Sequence, residues 1–150
     1  MTAARSRQLN LAVQYAVSVT GKPSRALFRK WVRASLEHDA RITLRIVGQK
    51  EGRTLNRDYR NKDYATNVLT FVFNDQQPFE GDLALCAPVV AREARAQKKS
   101  IAAHYAHLTV HGVLHLQGYG HENDQDAQVM EQRETQILAK LGYADPYFKG

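Results

Sequence analysis

Three histidines in the last third of the chain have the residue type and the spacing to bind one metal ion. His111 and His115 are four residues apart, so in a helix they would lie about 40° apart around the axis and about 6 Å apart along it. Gly118 follows, and glycine readily adopts the positive φ that ends many helices. The chain can then turn back and bring His121 to the same ion. The spacing predicts a metal site with three imidazole ligands on a helix and the turn after it.

The order of these residues is that of the extended zincin motif. Catalytic zinc sites commonly have three protein ligands and one open position, whereas structural zinc sites usually have four ligands. We therefore expect one Zn²⁺ per chain, held by His111, His115 and His121. Imidazole also suits nickel, copper and iron, so the residue types alone do not choose the metal.

One position argues against a zincin protease. Such proteases carry a glutamate directly after the first histidine as their general base, but this chain has Gly112 there. Glu122 or Asp124 would have to supply the carboxylate from outside the motif. A metal hydrolase without that base, on a basic chain, points to phosphodiesters, because a divalent cation and arginine can stabilise developing negative charge. A metallopeptidase remains the alternative.

The segments around the motif predict an α+β fold in which helices pack on a mixed sheet of about four strands. Apolar alternation and β-branched runs predict strands at Leu9–Val17, Arg41–Val47, Val68–Phe73 and Leu83–Cys86. Cap residues and helical periodicity predict helices at about 24–36, 50–60, 88–97, 100–117 and 124–141. With 150 residues and no linker, we expect one small domain over residues 1–150.

The charge of the chain is unevenly distributed. Residues 1–75 contain 14 Lys and Arg against 6 Asp and Glu, whereas residues 76–150 contain 7 against 9. A basic half is consistent with a polyanionic partner such as nucleic acid and equally with the ordinary solvated surface of a basic protein. The single cysteine, Cys86, cannot form an internal disulfide, which favours a reducing, cytoplasmic location. No apolar run approaches the ~18 residues of a membrane span, so we expect no membrane partner.

Several blocks of the sequence together resemble the YbeY family of bacterial rRNA maturation factors. The most specific block is His111–His121, which reads HGVLHLQGYGH, and Ala65–Phe71 reads ATNVLTF. The other similar blocks are Leu55–Asn56, Tyr59–Asp63, Gly81–Leu83, Leu141–Tyr143 and Asp145–Tyr147. The resemblance covers most of the chain.

The resemblance implies a zinc-dependent endoribonuclease, specific for single strands, that acts in 16S rRNA 3′-end maturation and ribosome quality control. Its expected partners are single-stranded RNA and the small ribosomal subunit, and the oligomeric state stays open. The three histidines match the zinc ligands of the family, on a small α+β domain with zincin-like topology around the metal. Arg60 matches an arginine important for activity, and a guanidinium suits phosphate because it donates two parallel hydrogen bonds. The alternative for Arg60 is a structural ion pair with Asp58 or Asp63.

One departure from the family pattern bears on catalysis. The residue before the third histidine is usually aspartate, but this chain has Gly120. If that carboxylate orients a ligand or a water molecule, another group must replace it here. Gly120 therefore leaves open a non-catalytic ribosome assembly factor whose metal only stabilises the fold.

Overall fold

The described residues, 7–148 of a computed structural model, begin with alternating strands and helices and end with three consecutive helices. In chain order they are β1 (Leu9–Tyr15), α1 (Arg25–Ser35), β2 (Ala40–Val47), α2 (Gln49–Arg60), β3 (Val68–Asn74), β4 (Phe79–Cys86), α3 (Ala87–Ala96), α4 (Ile101–Leu116) and α5 (Asp124–Lys140).

The four strands form one mixed sheet in the order β1-β2-β4-β3. β1 pairs with β2 and β2 with β4 in parallel, whereas β3 pairs with β4 antiparallel. The prediction of an α+β fold with a four-stranded mixed sheet is therefore confirmed. β3 is an edge strand, so its outer row of backbone groups has no partner strand.

The fourth strand is longer than its sequence indicates. The prediction began it at Leu83, but β4 begins at Phe79. β4 lies between two other strands, and Phe79 pairs with Ala40 while Glu80 pairs with Asn74. Hydrogen bonding to a strand on each side keeps these residues extended, although their own sequence pattern does not predict a strand.

Helix α4 lies at the centre of the molecule and packs against α1, α3, α5 and the sheet. Ser100 caps its first turn, with its Oγ accepting a hydrogen bond from the backbone N–H of Ala103 at 3.1 Å. Gly112 lets the helix approach β4 closely, because a Cβ there would lie 2.4 Å from Leu83 Cδ2. Gly118, at φ +105°, ends the helical course as predicted.

Helix α2 lies on the other face of the sheet. A Cβ at Gly52 of α2 would lie 2.9 Å from Cys86 Sγ, whereas Gly112 of α4 approaches Leu83. Successive strand side chains point to opposite faces, so Leu83 and Cys86 of β4 face different helices. Within residues 7–148, none of the helices is both long and apolar enough to cross a membrane.

Candidate active site

One cleft of about 520 Å³ brings together the residues that the sequence singled out. His111, His115 and His121 line it together with Arg60. The rest of its lining is Tyr59 and residues 68–73 of β3. Because α4 and α2 lie on opposite faces of the sheet, the cleft follows the open β3 edge that separates them.

The three histidine rings lie next to one another in this cleft. The ring centroids of His111 and His121 are 5.7 Å apart, and those of His115 and His121 are 5.8 Å apart. The His121 ring is nearly parallel to both others, at 29° and 25°. Gly118 makes this possible, since its left-handed backbone turns the chain back after α4.

A ready-made metal site is not present in this arrangement. Within residues 7–148, no three His, Cys, Asp or Glu side chains are grouped as metal ligands. The three histidines that the sequence singled out line one cleft. The structure does not show the predicted zincin-like ligand cluster among them.

The hydrogen bonds of two of the rings nevertheless suit nitrogen ligands. Nδ1 of His115 lies 3.1 Å from the backbone carbonyl of Tyr119, which can only accept a hydrogen bond, so this nitrogen carries the proton. Nδ1 of His111 lies 3.4 Å from Oε2 of Glu134. A ring whose Nδ1 carries the proton offers its lone pair on Nε2, the arrangement typical of metal-binding histidines. Burial lowers the pKa of His115, which favours its neutral form.

Glu134 is the site residue that sequence reasoning missed. It is fully buried, and its Oε1 lies 2.9 Å from Nε2 of His107 and accepts a hydrogen bond from the Tyr147 hydroxyl at 2.8 Å. Burial alone raises the pKa of Glu134, but the hydrogen bonds and charge of His107 and His111 outweigh it and lower the pKa below its ordinary value. A signal was available, because a charged residue lies four positions from both Met130 and Leu138 in the apolar stripe of α5.

Arg60 is exposed at the C-terminal end of α2. Asp63 instead accepts two hydrogen bonds from Arg53, at 2.8 and 2.9 Å, and Asp58 lies 3.4 Å from Arg57. Within residues 7–148, Arg60 forms no ion pair with either aspartate, so the predicted structural alternative is absent there. Its guanidinium is available to an anion in the cleft.

Comparison with known proteins shows the family of this chain. A family model described as Endoribonuclease YbeY matches residues 11–142, which include Arg60 and all three histidines. The chain belongs to the YbeY family. A relative from Nitrosospira multiformis named Endoribonuclease YbeY is 60% identical, over 93% of this chain and 82% of its own length. One of the same name from Nitrosomonas europaea is 57% identical, over 94% and 86%.

A solved structure shares the fold. The solution structure of TM1509 from Thermotoga maritima superposes with a TM-score of 0.57 over 93% of this chain and 99% of its own. The two sequences are 20% identical, so the likeness concerns the backbone arrangement alone.

Two glycines of this YbeY chain differ in the space around them. At Gly112 a Cβ would lie 2.4 Å from Leu83 Cδ2, so a side chain such as the glutamate of a zincin protease would be crowded there. Glu122 lines a separate depression beside Gly118, outside the residues that line the cleft. At Gly120, by contrast, a Cβ would meet nothing within 4 Å. A Cβ is therefore accommodated at Gly120, the position at which the resemblance leads us to expect an aspartate.

Proposed function

We propose that this YbeY chain acts as a single-domain, zinc-dependent endoribonuclease that cuts single-stranded RNA during 16S rRNA 3′-end maturation and ribosome quality control. One observation carries the proposal: three histidines line one cleft with an arginine that has no ion-pair partner within residues 7–148, in a chain whose relatives are named endoribonucleases. The ribosomal substrate, the small-subunit partner and a cytoplasmic location rest on the resemblance of the sequence to the family.

The residues that would hold the metal are His111, His115 and His121, one ion per chain. Nε2 of His111 and of His115 is free to bind, because Nδ1 of each ring already has an oxygen partner. His121 is exposed on the turn after α4, so its ring can reorient to complete the ligand set. A bound Zn²⁺ supplies Lewis-acid stabilisation of phosphate charge and lowers the pKa of a coordinated water.

The protein itself contributes position and charge. The guanidinium of Arg60 donates hydrogen bonds to non-bridging phosphate oxygens and stabilises the negative charge that develops on them. The β3 edge forms the wall along which an extended strand can lie. Glu134, from beneath the cleft, keeps the His111 ring in one tautomer and one orientation.

The test is a metal analysis of the purified protein together with cleavage assays on single-stranded RNA, duplex RNA and an unfolded protein. We expect about one zinc per chain, cleavage of single-stranded RNA and no proteolysis. A 2′,3′-cyclic phosphate on one product would show attack by the neighbouring hydroxyl, whereas a 5′-phosphate on one product with a 3′-hydroxyl on the other would show attack by water. Bound metal without any RNA cleavage would instead support a non-catalytic assembly factor, and proteolysis would support a metallopeptidase.

A further inference from the structure

An exposed aromatic group borders the histidine cleft, and the mechanism above does not use it. Tyr59 and Phe73 line the cleft with 69% and 67% of their surfaces exposed. Phe71 of β3 contacts Tyr59 of α2, with the two ring centroids 4.6 Å apart at an interplanar angle of 63°. Large apolar side chains grouped on a surface usually mark a binding site rather than a part of the core.

The backbone around Phe73 also indicates a binding surface. Across the β3–β4 pair, Val72 is opposite Gly81 and Asn74 is opposite Glu80, which leaves Phe73 without a partner residue on β4. This irregularity has the form of a β-bulge, and such bulges re-aim a side chain next to functional sites. The strand thus directs one of its largest apolar residues to solvent at the rim of the cleft.

The positive charge beside these rings indicates what kind of ligand binds there. Arg60 directly follows Tyr59, and it forms no ion pair among the residues that the structure describes. A ligand that offers both an apolar flat surface and a negative charge fits this pairing of aromatic ring and free guanidinium. An RNA nucleotide offers both, because its base stacks on aromatic rings while its phosphate pairs with arginine.

We infer that Tyr59, Phe71 and Phe73 form a stacking shelf that holds unpaired bases of the RNA substrate beside the three histidines. The inference rests on the proposed function and adds the physical origin of strand selectivity. Bases in a duplex are stacked within the helix and cannot reach the shelf, whereas bases of a single strand can turn outward onto it. The shelf would therefore favour unpaired RNA without reading its sequence.

The experiment compares Phe73→Ala, Phe73→Leu and Phe73→Trp in single-turnover cleavage of a short fluorescent oligoribonucleotide over a range of enzyme concentrations. Loss of one stacked base should raise the half-saturating enzyme concentration of the alanine variant about 5- to 150-fold. Tryptophan should retain tight binding, whereas leucine, which is apolar but has no π-face, should not. Tyr59→Ala provides an independent variant should any Phe73 variant melt early.

An RNA in which abasic ribose replaces the bases isolates stacking from phosphate contacts. The wild type should prefer the normal RNA to the abasic RNA by the same factor, and Phe73→Ala should lose that preference. The matched control is Phe148→Ala, an aromatic residue that is 76% exposed and lines a different pocket, and it should behave as wild type.

Two results would overturn the stacking shelf while leaving the proposed function intact. In the first, the wild type cleaves RNA, and both Phe73→Ala and Tyr59→Ala have the same half-saturating enzyme concentration as the wild type. In the second, these variants weaken the binding of normal RNA and of abasic RNA by the same factor. Failure of the wild type to bind or cleave any RNA would reject the proposed function, and the stacking shelf with it.

Discussion

Glu134 of α5 supports His111 of α4 from inside the protein, with its buried Oε2 3.4 Å from the ring Nδ1. Its other oxygen accepts hydrogen bonds from the Tyr147 hydroxyl and lies 2.9 Å from Nε2 of His107. An ionised carboxylate can only accept hydrogen bonds, so both rings must present N–H groups to it. A cleft histidine is thereby oriented by a buried carboxylate of the neighbouring helix.

Replacing Glu134 by glutamine should weaken metal binding and stability together. The amide keeps the shape of the side chain, but its NH₂ group opposes one of the N–H donors that now face the carboxylate. We expect about 10- to 100-fold weaker metal affinity, as for other partners that orient a ligand, and a free energy of unfolding lower by about 1–3 kcal/mol. Metal competition titration and thermal melting measure the two effects.

The matched control for this change is Glu131→Gln, three residues earlier on the same helix. Glu131 hydrogen-bonds to Thr135 only through its backbone carbonyl, so its carboxylate is not needed there. This variant should keep wild-type metal affinity. Equal affinity in Glu134→Gln and Glu131→Gln would show that His111 needs no support from Glu134.

Removal of either helical histidine should abolish stoichiometric metal binding. In His111→Ala or His115→Ala only two of the three imidazoles remain, so metal content after gel filtration should fall well below one ion per chain. His38→Ala is the control, because His38 lies outside the cleft and hydrogen-bonds to Gln77. Full metal retention in either cleft variant would remove the three-histidine site from consideration.

A methyl group at Gly112 should destabilise the fold, although alanine is the better helix former. Helix propensity favours Gly112→Ala by about 1 kcal/mol. The added Cβ, however, would lie 2.4 Å from Cδ2 and 3.0 Å from Cγ of Leu83, which is fully buried. Overpacking of this kind typically costs about 1–3 kcal/mol, and with Cγ also in contact we expect a net loss in the free energy of unfolding.

Gly120→Ala tests the same substitution where space is open, since its Cβ would meet nothing within 4 Å. Urea denaturation should show a lower midpoint for Gly112→Ala and little change for Gly120→Ala. Greater stability of Gly112→Ala than of wild type would mean that α4 can move away from β4 at small cost.

The features that sequence predicted well are those that a few neighbouring residues determine. Alternation of Leu9, Leu11 and Val13 specifies a strand with one buried face, and the spacing of His111 and His115 specifies their common side of a helix. Ser100 and Gly118 similarly mark the two ends of α4 by their own conformational preferences.

The features that sequence missed depend on residues far apart in the chain. Glu134 reaches His111 only because α5 packs against α4, and Phe73 is exposed only because the β3–β4 register skips it. The partner of Asp63 likewise could not be chosen from spacing, because Arg53, Arg57 and Arg60 all lie on the helix that precedes it. Tertiary packing, which has no short-range signature, decides each case.

The last prediction separates catalysis from metal binding. Arg60 cannot be a metal ligand, since a guanidinium stays protonated and offers no lone pair. Arg60→Ala should therefore keep wild-type zinc content and melting temperature. It should slow single-turnover RNA cleavage about 10²- to 10³-fold, the usual effect of losing a hydrogen-bond donor to developing transition-state charge. Arg60→Lys should recover only part of the rate, because an ammonium keeps the charge but loses the bidentate geometry.

Arg57→Ala is the charge-matched control, one turn earlier on α2 and outside the residues that line the cleft. Removing that positive charge weakens long-range attraction of RNA, so it should alter half-saturation and its salt dependence but not the limiting cleavage rate. A limiting rate that falls in Arg60→Ala and not in Arg57→Ala assigns the effect to the phosphate contact rather than to net charge. Normal cleavage by Arg60→Ala would contradict the catalytic assignment. Early melting or loss of zinc in that variant would show that the arginine is structural after all.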